Sequence, residues 1–410
     1  MSAPAAPHLP DATSFKGFHE RSVPEALTRR SSRLPDAYGQ TLEPFGIRER
    51  ESGRTYTLSF APESGSLEIQ RGEENAITLI ELPSEKWVGL TQDVESAPGL
   101  VYGDHATRVR GDLMDFVHWE PALRWLYLDR PVYDPSNVDL QDSHGRTLDP
   151  TRGFSPDDDP DEMAEFLRTV GYLWVRNVLS PEEIKILQQE SERLRDAARP
   201  GDQESWWGKR EDGSEVLCRV LRAGKEPKMR SLHGDPRLER YAELCDLPMD
   251  HKQGPGDKDG LAILWKQPRV AEGLGDLPWH RDCGMGGHAS MCPTAVTSIF
   301  LGPNTKEAGQ IRFLPGSWKS SFPFTDGNDA GAPEGVAPAA KPGDITLHYG
   351  DGLHVAPPPT GSEGPFRSCI LMGYGRTGGG HHAGGRHYND ILLGNADGQV
   401  EDMRKIAKRR

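Results

Sequence analysis

The spacing of hydrophobic and polar positions divides the chain into regions of different character. Between Thr55 and Pro83, "TYTLSF", "GSLEIQRG" and "AITLIELP" are short, β-rich and separated by turn formers, which predicts a small meander. "DLMDFVHWEPALRWLYLD" (112–129) then carries Met114, Phe116, Val117, Leu123, Leu126 and Leu128 at mixed spacing, and predicts a mostly buried helix. Further on, "EMAEFLRTVGYLWVRNVLSPEEIKILQQESERLRDAA" predicts helix, strand, helix. Ser180 is the expected N-cap, Pro181 the first helical residue, and Glu183 completes an S-x-x-E capping box. Ile184, Leu187, Ser191, Leu194 and Ala198 follow at helical spacing and define one packed face. From Gly260 onward, "LAILWKQP", "AVTSIFLG", "GQIRFLPG", "GDITLHYGDGLHVA" and "RSCILMGYG" read as strands joined by turns, with no helix between them. Such a run predicts a β-sandwich or barrel.

Composition places the seams. The first 35 residues, rich in Ala, Pro and Ser, are expected to be a flexible segment. The Asp- and Pro-rich stretch 133–160 has no periodicity and reads as a linker, with its boundaries set at 134–157. The expected organisation is therefore a flexible segment 1–35, a small α+β domain 36–133, a linker 134–157, a β-rich domain 158–393 and a C-terminal tail 394–410.

Bulk properties narrow the function. With 410 residues, 35% hydrophobic and 27% charged, the chain is long enough for two globular cores. A net charge of −14 argues against nucleic acid or an anionic membrane as the main partner. No run of about eighteen apolar residues suggests a membrane span, and "MSAPAAPHLPDATSF" lacks a basic segment followed by an apolar one. Five scattered cysteines do not form a disulfide framework. A cytoplasmic protein is expected; the oligomeric state is left open.

The candidate chemistry lies in "LPWHRDCGMGGH" (277–288). On a strand, His280 and Asp282 point to one face and supply two arms of a metal site. One more His would complete a 2-His-1-carboxylate triad, which leaves positions open for dioxygen and substrate. "GDITLHYGDGLHVAPPP" offers His348 and His354 for that role. Downstream, Arg367 opens a strand, and its guanidinium fork suits a carboxylate such as a dicarboxylate cosubstrate presents. Against this stand a plain polar turn and a zinc site built from Cys283, His288 and Cys292, whose spacing matches no common structural zinc pattern. The "GGGHHAGGRHYND" stretch reads as a surface loop, so His381, His382 and His387 are left out of the site. Trp206 and Trp207 in "ESWWGKREDG", together with Trp279, are candidates for a substrate-pocket wall.

Taken in order, "PWHRD", "AGQIRFLPGSWKSS", "GDITLHYGDGLHVAPPP" and "FRSCILMGYG" resemble the phytanoyl-CoA dioxygenase family over about residues 158 to 390, including the entry "GYLWVRNVLSPEEI". The resemblance implies a mainly β fold with α elements, a double-stranded β-helix or jelly roll with flanking helices, preceded here by the small α+β domain. It implies Fe(II) as cofactor, 2-oxoglutarate as cosubstrate, and hydroxylation of a small organic molecule by dioxygen with release of succinate and carbon dioxide. Matched position by position, His280 and Asp282 are the proximal ligands and His354 the distal one. Arg367 pairs with the far carboxylate of 2-oxoglutarate, Lys266 in "LWKQP" lies near it, and His348 stands outside the ligand set as a supporting residue. Three positions depart from the family pattern. Ala356 stands where a Ser or Thr often follows the distal His, the loop from His354 to Arg367 is longer than usual, and Trp318 replaces a common His. The front segment, about residues 40 to 133, resembles the sterol carrier protein-2 type, which implies an acyl or sterol-like lipophilic substrate. The rival reading is a non-catalytic lipid- or small-molecule-binding protein that keeps the jelly roll.

Overall fold

The computed structural model describes residues 14–30, 32–92, 95–251, 260–273, 277–282, 294–325, 331–377 and 402–409. Strands β1 (Phe45–Glu49), β2 (Thr55–Ala61), β3 (Ser66–Arg71), β4 (Thr78–Leu82) and β5 (Thr107–Arg110) form one sheet in the order β3-β2-β1-β4-β5. Of the expected meander only the β2–β3 hairpin forms: β1 lies between β2 and β4, and β4 crosses over to lie parallel to β1 from Phe45↔Thr78 to Glu49↔Leu82. Helix Leu113–Leu128 packs on this sheet. Its N-cap, Asp112, accepts from the Met114 amide. Phe45 of β1 stacks on Phe116 and Trp119, with ring centroids 5.8 and 5.6 Å apart.

Pro121 lies inside that helix, where its ring displaces the carbonyl one turn back. The Tyr38 hydroxyl repairs the break. It accepts from the Ala122 amide at 3.2 Å and donates to the His118 carbonyl at 2.8 Å, bridging two groups of the interrupted ladder.

The ends of the chain depart from expectation. Residues 14–30, expected to be flexible, form short helices capped by the Ser14 side chain, and Phe15, Phe18 and Val23 are buried. Their rings meet Trp87 and Tyr127 edge-on at 5.0 to 5.3 Å. Ala- and Pro-rich composition masks this sparse apolar spacing. At the other end, expected to be a tail, helix Met403–Arg409 buries Met403, Ile406 and Ala407 in the same core. The expected linker is also anchored. Phe154 is fully buried and bridges to Val175, and Pro150 accepts from the Tyr172 hydroxyl at 2.6 Å.

The second unit carries β6 (Tyr172–Val175), β7 (Ser205–Arg210), β8 (Glu215–Val220), β9 (Met249–His251), β10 (Leu261–Trp265), β11 (Val270–Glu272), β12 (Leu277–His280), β13 (Thr294–Phe300), β14 (Arg312–Phe313), β15 (Ile345–Tyr349), β16 (His354–Ala356) and β17 (Ser368–Arg376). A large sheet runs β11-β7-β8-β10-β17-β13-β15-β6, with β9 also on β17, and a small sheet runs β12-β16-β14. Strands β12 to β17 alternate between small and large sheet. This alternation makes the expected double-stranded β-helix.

Ile263, Ile370, Ile299, Ile345 and Val175 stand in register across five strands of the large sheet. They pack beneath helices Pro160–Val170 and Pro181–Ala197 through Phe166, Leu167, Ile184 and Leu187. The capping box at Ser180 is complete: its side chain accepts from the Glu183 amide, and the Glu183 carboxylate accepts from the Ser180 amide. With the apolar face committed to these helices, the opposite face of the sheet is left to face the small one. No described helix is long and apolar enough to cross a membrane.

Candidate metal centre

His280 closes β12 and His354 opens β16, and the two are Cα partners across the antiparallel pair. Their rings lie 4.2 Å apart. Each Nδ1 donates to a carbonyl two residues back, His280 to Pro278 at 2.7 Å and His354 to Gly352 at 3.0 Å. A carbonyl only accepts, so the proton sits on Nδ1 and the Nε2 lone pair is left for another group. Both Nε2 atoms turn to Asp282 Oδ1, at 3.8 and 3.6 Å. One donor atom from each of the three residues lies within 4.8 Å of the others.

Burial pushes the His280 and His354 imidazoles below their ordinary range, and in His354 the neighbouring His280 adds to the effect. Both are therefore neutral near pH 7, the form that ligates. Asp282, whose side chain is 34% exposed, is held well below the usual carboxylate range by the neighbouring imidazoles and a hydrogen bond from His348. Two neutral imidazoles and one carboxylate with lone pairs converging form the donor set of a non-haem ferrous site, and the residues fit that ion.

His348, on β15, is almost fully buried and donates from Nε2 to Asp282 Oδ2 at 3.2 Å. It holds the carboxylate oxygen turned away from His280 and His354.

Lys266 and Arg367 come together at the adjoining ends of β10 and β17, where the Lys266 amide donates to the Arg367 carbonyl at 2.9 Å. Arg367 is 2% exposed, and its Nε donates to the Gly309 carbonyl at 2.8 Å. Lys266 Nζ donates to the Ala356 carbonyl at 2.7 Å, which ties the large sheet to the strand of the distal histidine. At Ala356, where the family pattern often has a hydroxyl, the backbone is therefore engaged by Lys266.

The three tryptophans separate. Trp206 is buried beneath the Arg219 guanidinium at 4.9 Å and joins the core shared with the N-terminal unit. Trp207 packs with the helix-covered core and donates from Nε1 to Ser205 Oγ. Trp279 packs with Tyr133, Leu314, Leu353 and Val355 in a small separate core, because on β12 it alternates away from His280. Trp206 lies beside Arg219 on β8, whose charge contributes to depressing His280. Sequence reading missed Arg219, because a lone Arg in a strand carries no motif. Cys283, His288 and Cys292, like His381, His382 and His387, lie outside the described residues.

Residues 167–368 match the family model described as phytanoyl-CoA dioxygenase (PhyH), so the chain carries a domain of that family. No curated protein sequence matches the chain. Among solved structures, it is similar to AviO1 from Streptomyces viridochromogenes Tue57, at 24% identity and a TM-score of 0.42, covering 55% of this chain and 98% of that one. It is also similar to the epimerase SnoN in complex with Fe3+, alpha ketoglutarate and nogalamycin RO, at 22% identity and a TM-score of 0.42, covering 59% and 93%. HygX from Streptomyces hygroscopicus, with nickel and 2-oxoglutarate bound, is similar at 18% identity and a TM-score of 0.37, covering 53% and 86%.

Proposed function

We propose that the protein is an Fe(II)- and 2-oxoglutarate-dependent dioxygenase that hydroxylates a small organic substrate and releases succinate and carbon dioxide. The observation that carries this reading is the convergence of the His280, Asp282 and His354 donor atoms within 4.8 Å, inside a PhyH domain. Bound there, ferrous iron would supply the activation of dioxygen and the oxidative decarboxylation of the cosubstrate.

The chain's own residues do the rest. His280 and His354 offer Nε2 with their tautomers set by backbone carbonyls, and Asp282 offers Oδ1 while His348 occupies Oδ2. Arg367 and Lys266 take the carboxylate of the cosubstrate, the guanidinium as a fork and the ammonium as a point charge.

The decisive experiment loads the full chain with Fe(II) anaerobically, admits oxygen with 2-oxoglutarate, and measures succinate. Release from wild type that disappears in His354→Ala supports the reading. A wild-type protein that binds neither iron nor 2-oxoglutarate would sink it, and the non-catalytic binding protein would take its place. A lipophilic substrate is favoured only by the sterol-carrier resemblance.

A further inference from the structure

The residue between the two proximal ligands points the other way along the strand. Arg281 is 5% exposed, and its Nη2 lies 3.9 Å from Oε2 of Glu120, in the middle of helix Leu113–Leu128 of the N-terminal unit. The other oxygen of Glu120 is held by the Ala97 amide at 3.0 Å and by Arg124 Nη2 at 3.4 Å, so the carboxylate has little freedom to follow Arg281. A second link lies beside it. Arg130, just past the same helix, donates to the Trp318 carbonyl at 3.0 Å and stands 3.9 Å from Asp351, three residues before the distal ligand. All four side chains in these two links are at most 10% exposed.

From this we propose that Glu120 is a positioning residue for the metal centre, acting through Arg281, with Arg130 and Asp351 as the companion tether. The inference rests on the metal-centre reading above. Attraction between buried charges is little screened, so each tether resists displacement of the backbone that bears it. One tether lies next to His280 and Asp282, the other just before His354. The N-terminal unit is thereby part of the frame that keeps the two ligand segments in register.

The test uses the full chain and Co(II), whose visible spectrum reports both affinity and ligand geometry. Co(II) titrations compare wild type, Glu120→Gln, Arg281→Met and the double variant, each with its metal-free thermal midpoint. Each single change is expected to weaken Co(II) binding about tenfold and to alter the spectrum. The double variant is expected to bind no worse than the weaker single, because both changes remove the same contact. Unchanged affinity and spectrum with a lowered midpoint would mean a structural role only, and additive losses would mean that Glu120 does not act through Arg281; either overturns the proposal. If wild type binds no Co(II), the metal-centre reading itself fails and the proposal falls with it. Should the variants not fold, hydrogen exchange on wild type decides: Co(II) is expected to slow exchange in residues 113–128, and no slowing would overturn the tether.

Discussion

His280 and His354 are direct partners on adjacent antiparallel strands, so one backbone ladder sets the distance between them. Cross-strand neighbours in such a pair lie about 4.5–5.5 Å apart at Cβ, and the ring separation of 4.2 Å follows from that spacing. Asp282 lies just past the end of β12, within the same turn of chain. The strand pair thus fixes the two histidines, and the turn that follows β12 carries Asp282 to them.

Substitution of either ligand is expected to abolish tight metal binding, whereas His348→Leu should weaken it about 10- to 100-fold, the usual cost of losing a group that orients a ligand. Metal content after dialysis against graded chelator separates the two cases. A His348→Leu protein that bound metal as tightly as wild type would show that Asp282 does not need its partner.

Arg367→Lys keeps the positive charge but loses the fork. It is expected to raise the half-saturating 2-oxoglutarate concentration about tenfold or more, in line with about 1.5–3 kcal/mol for hydrogen bonds to a charged group, while Co(II) affinity stays unchanged. Calorimetric titration of 2-oxoglutarate into the metal-loaded variant measures this. Equal affinities would remove Arg367 from the cosubstrate site.

Phe18→Ala tests whether the N-terminal helices are integral to the fold. The ring is fully buried against Trp87 and Tyr127, so its truncation should cost about 3–5 kcal/mol. Urea unfolding of the full chain reads it, and a loss below about 1 kcal/mol would show this packing to be dispensable.

Stability should fall on mild acidification. Burial pushes His19 down to about 4, against a weaker opposing effect from the hydrogen bond to the Phe15 carbonyl. His233 is likewise pushed down to about 4 by burial and by its neighbour His251. The unfolded chain takes up these protons below about pH 6.5, the folded one only near 4. The contribution of both groups is therefore fully present above about 6.5, declines as pH falls toward 4, and then levels off. Denaturation midpoints in that window should slope less in His19→Gln than in wild type; parallel profiles would exclude His19 as a source.

The strands of the β-helix and the helix before them were legible because their signals are local: Gly343-Asp344 marks a strand entry, and Ser180 with Glu183 writes a helix start into four residues. His280 and Asp282 stood out by their spacing, although Asp282 sits in the turn after β12 and not on the strand, and His354 was picked over His348 only through the family resemblance. Arg281, Glu120, Arg130 and Asp351 were not legible. Each is a charged residue in an unremarkable stretch, and their pairing depends on how one unit docks on the other. Trp279 was misplaced as a pocket residue although it sits beside His280: strand alternation sends it to the opposite side, and proximity in sequence outweighed that rule. Phe15 and Phe18 were hidden by the composition around them.

The core of the N-terminal unit is completed by residues on both sides of the jelly roll, since Phe15 and Phe18 pack in it at one end of the described chain and Met403, Ile406 and Ala407 at the other. During synthesis on a ribosome this core stays open until the entire β-helix has emerged. The two units therefore cannot mature one after the other like beads on a string: the second must be made before the first can be sealed.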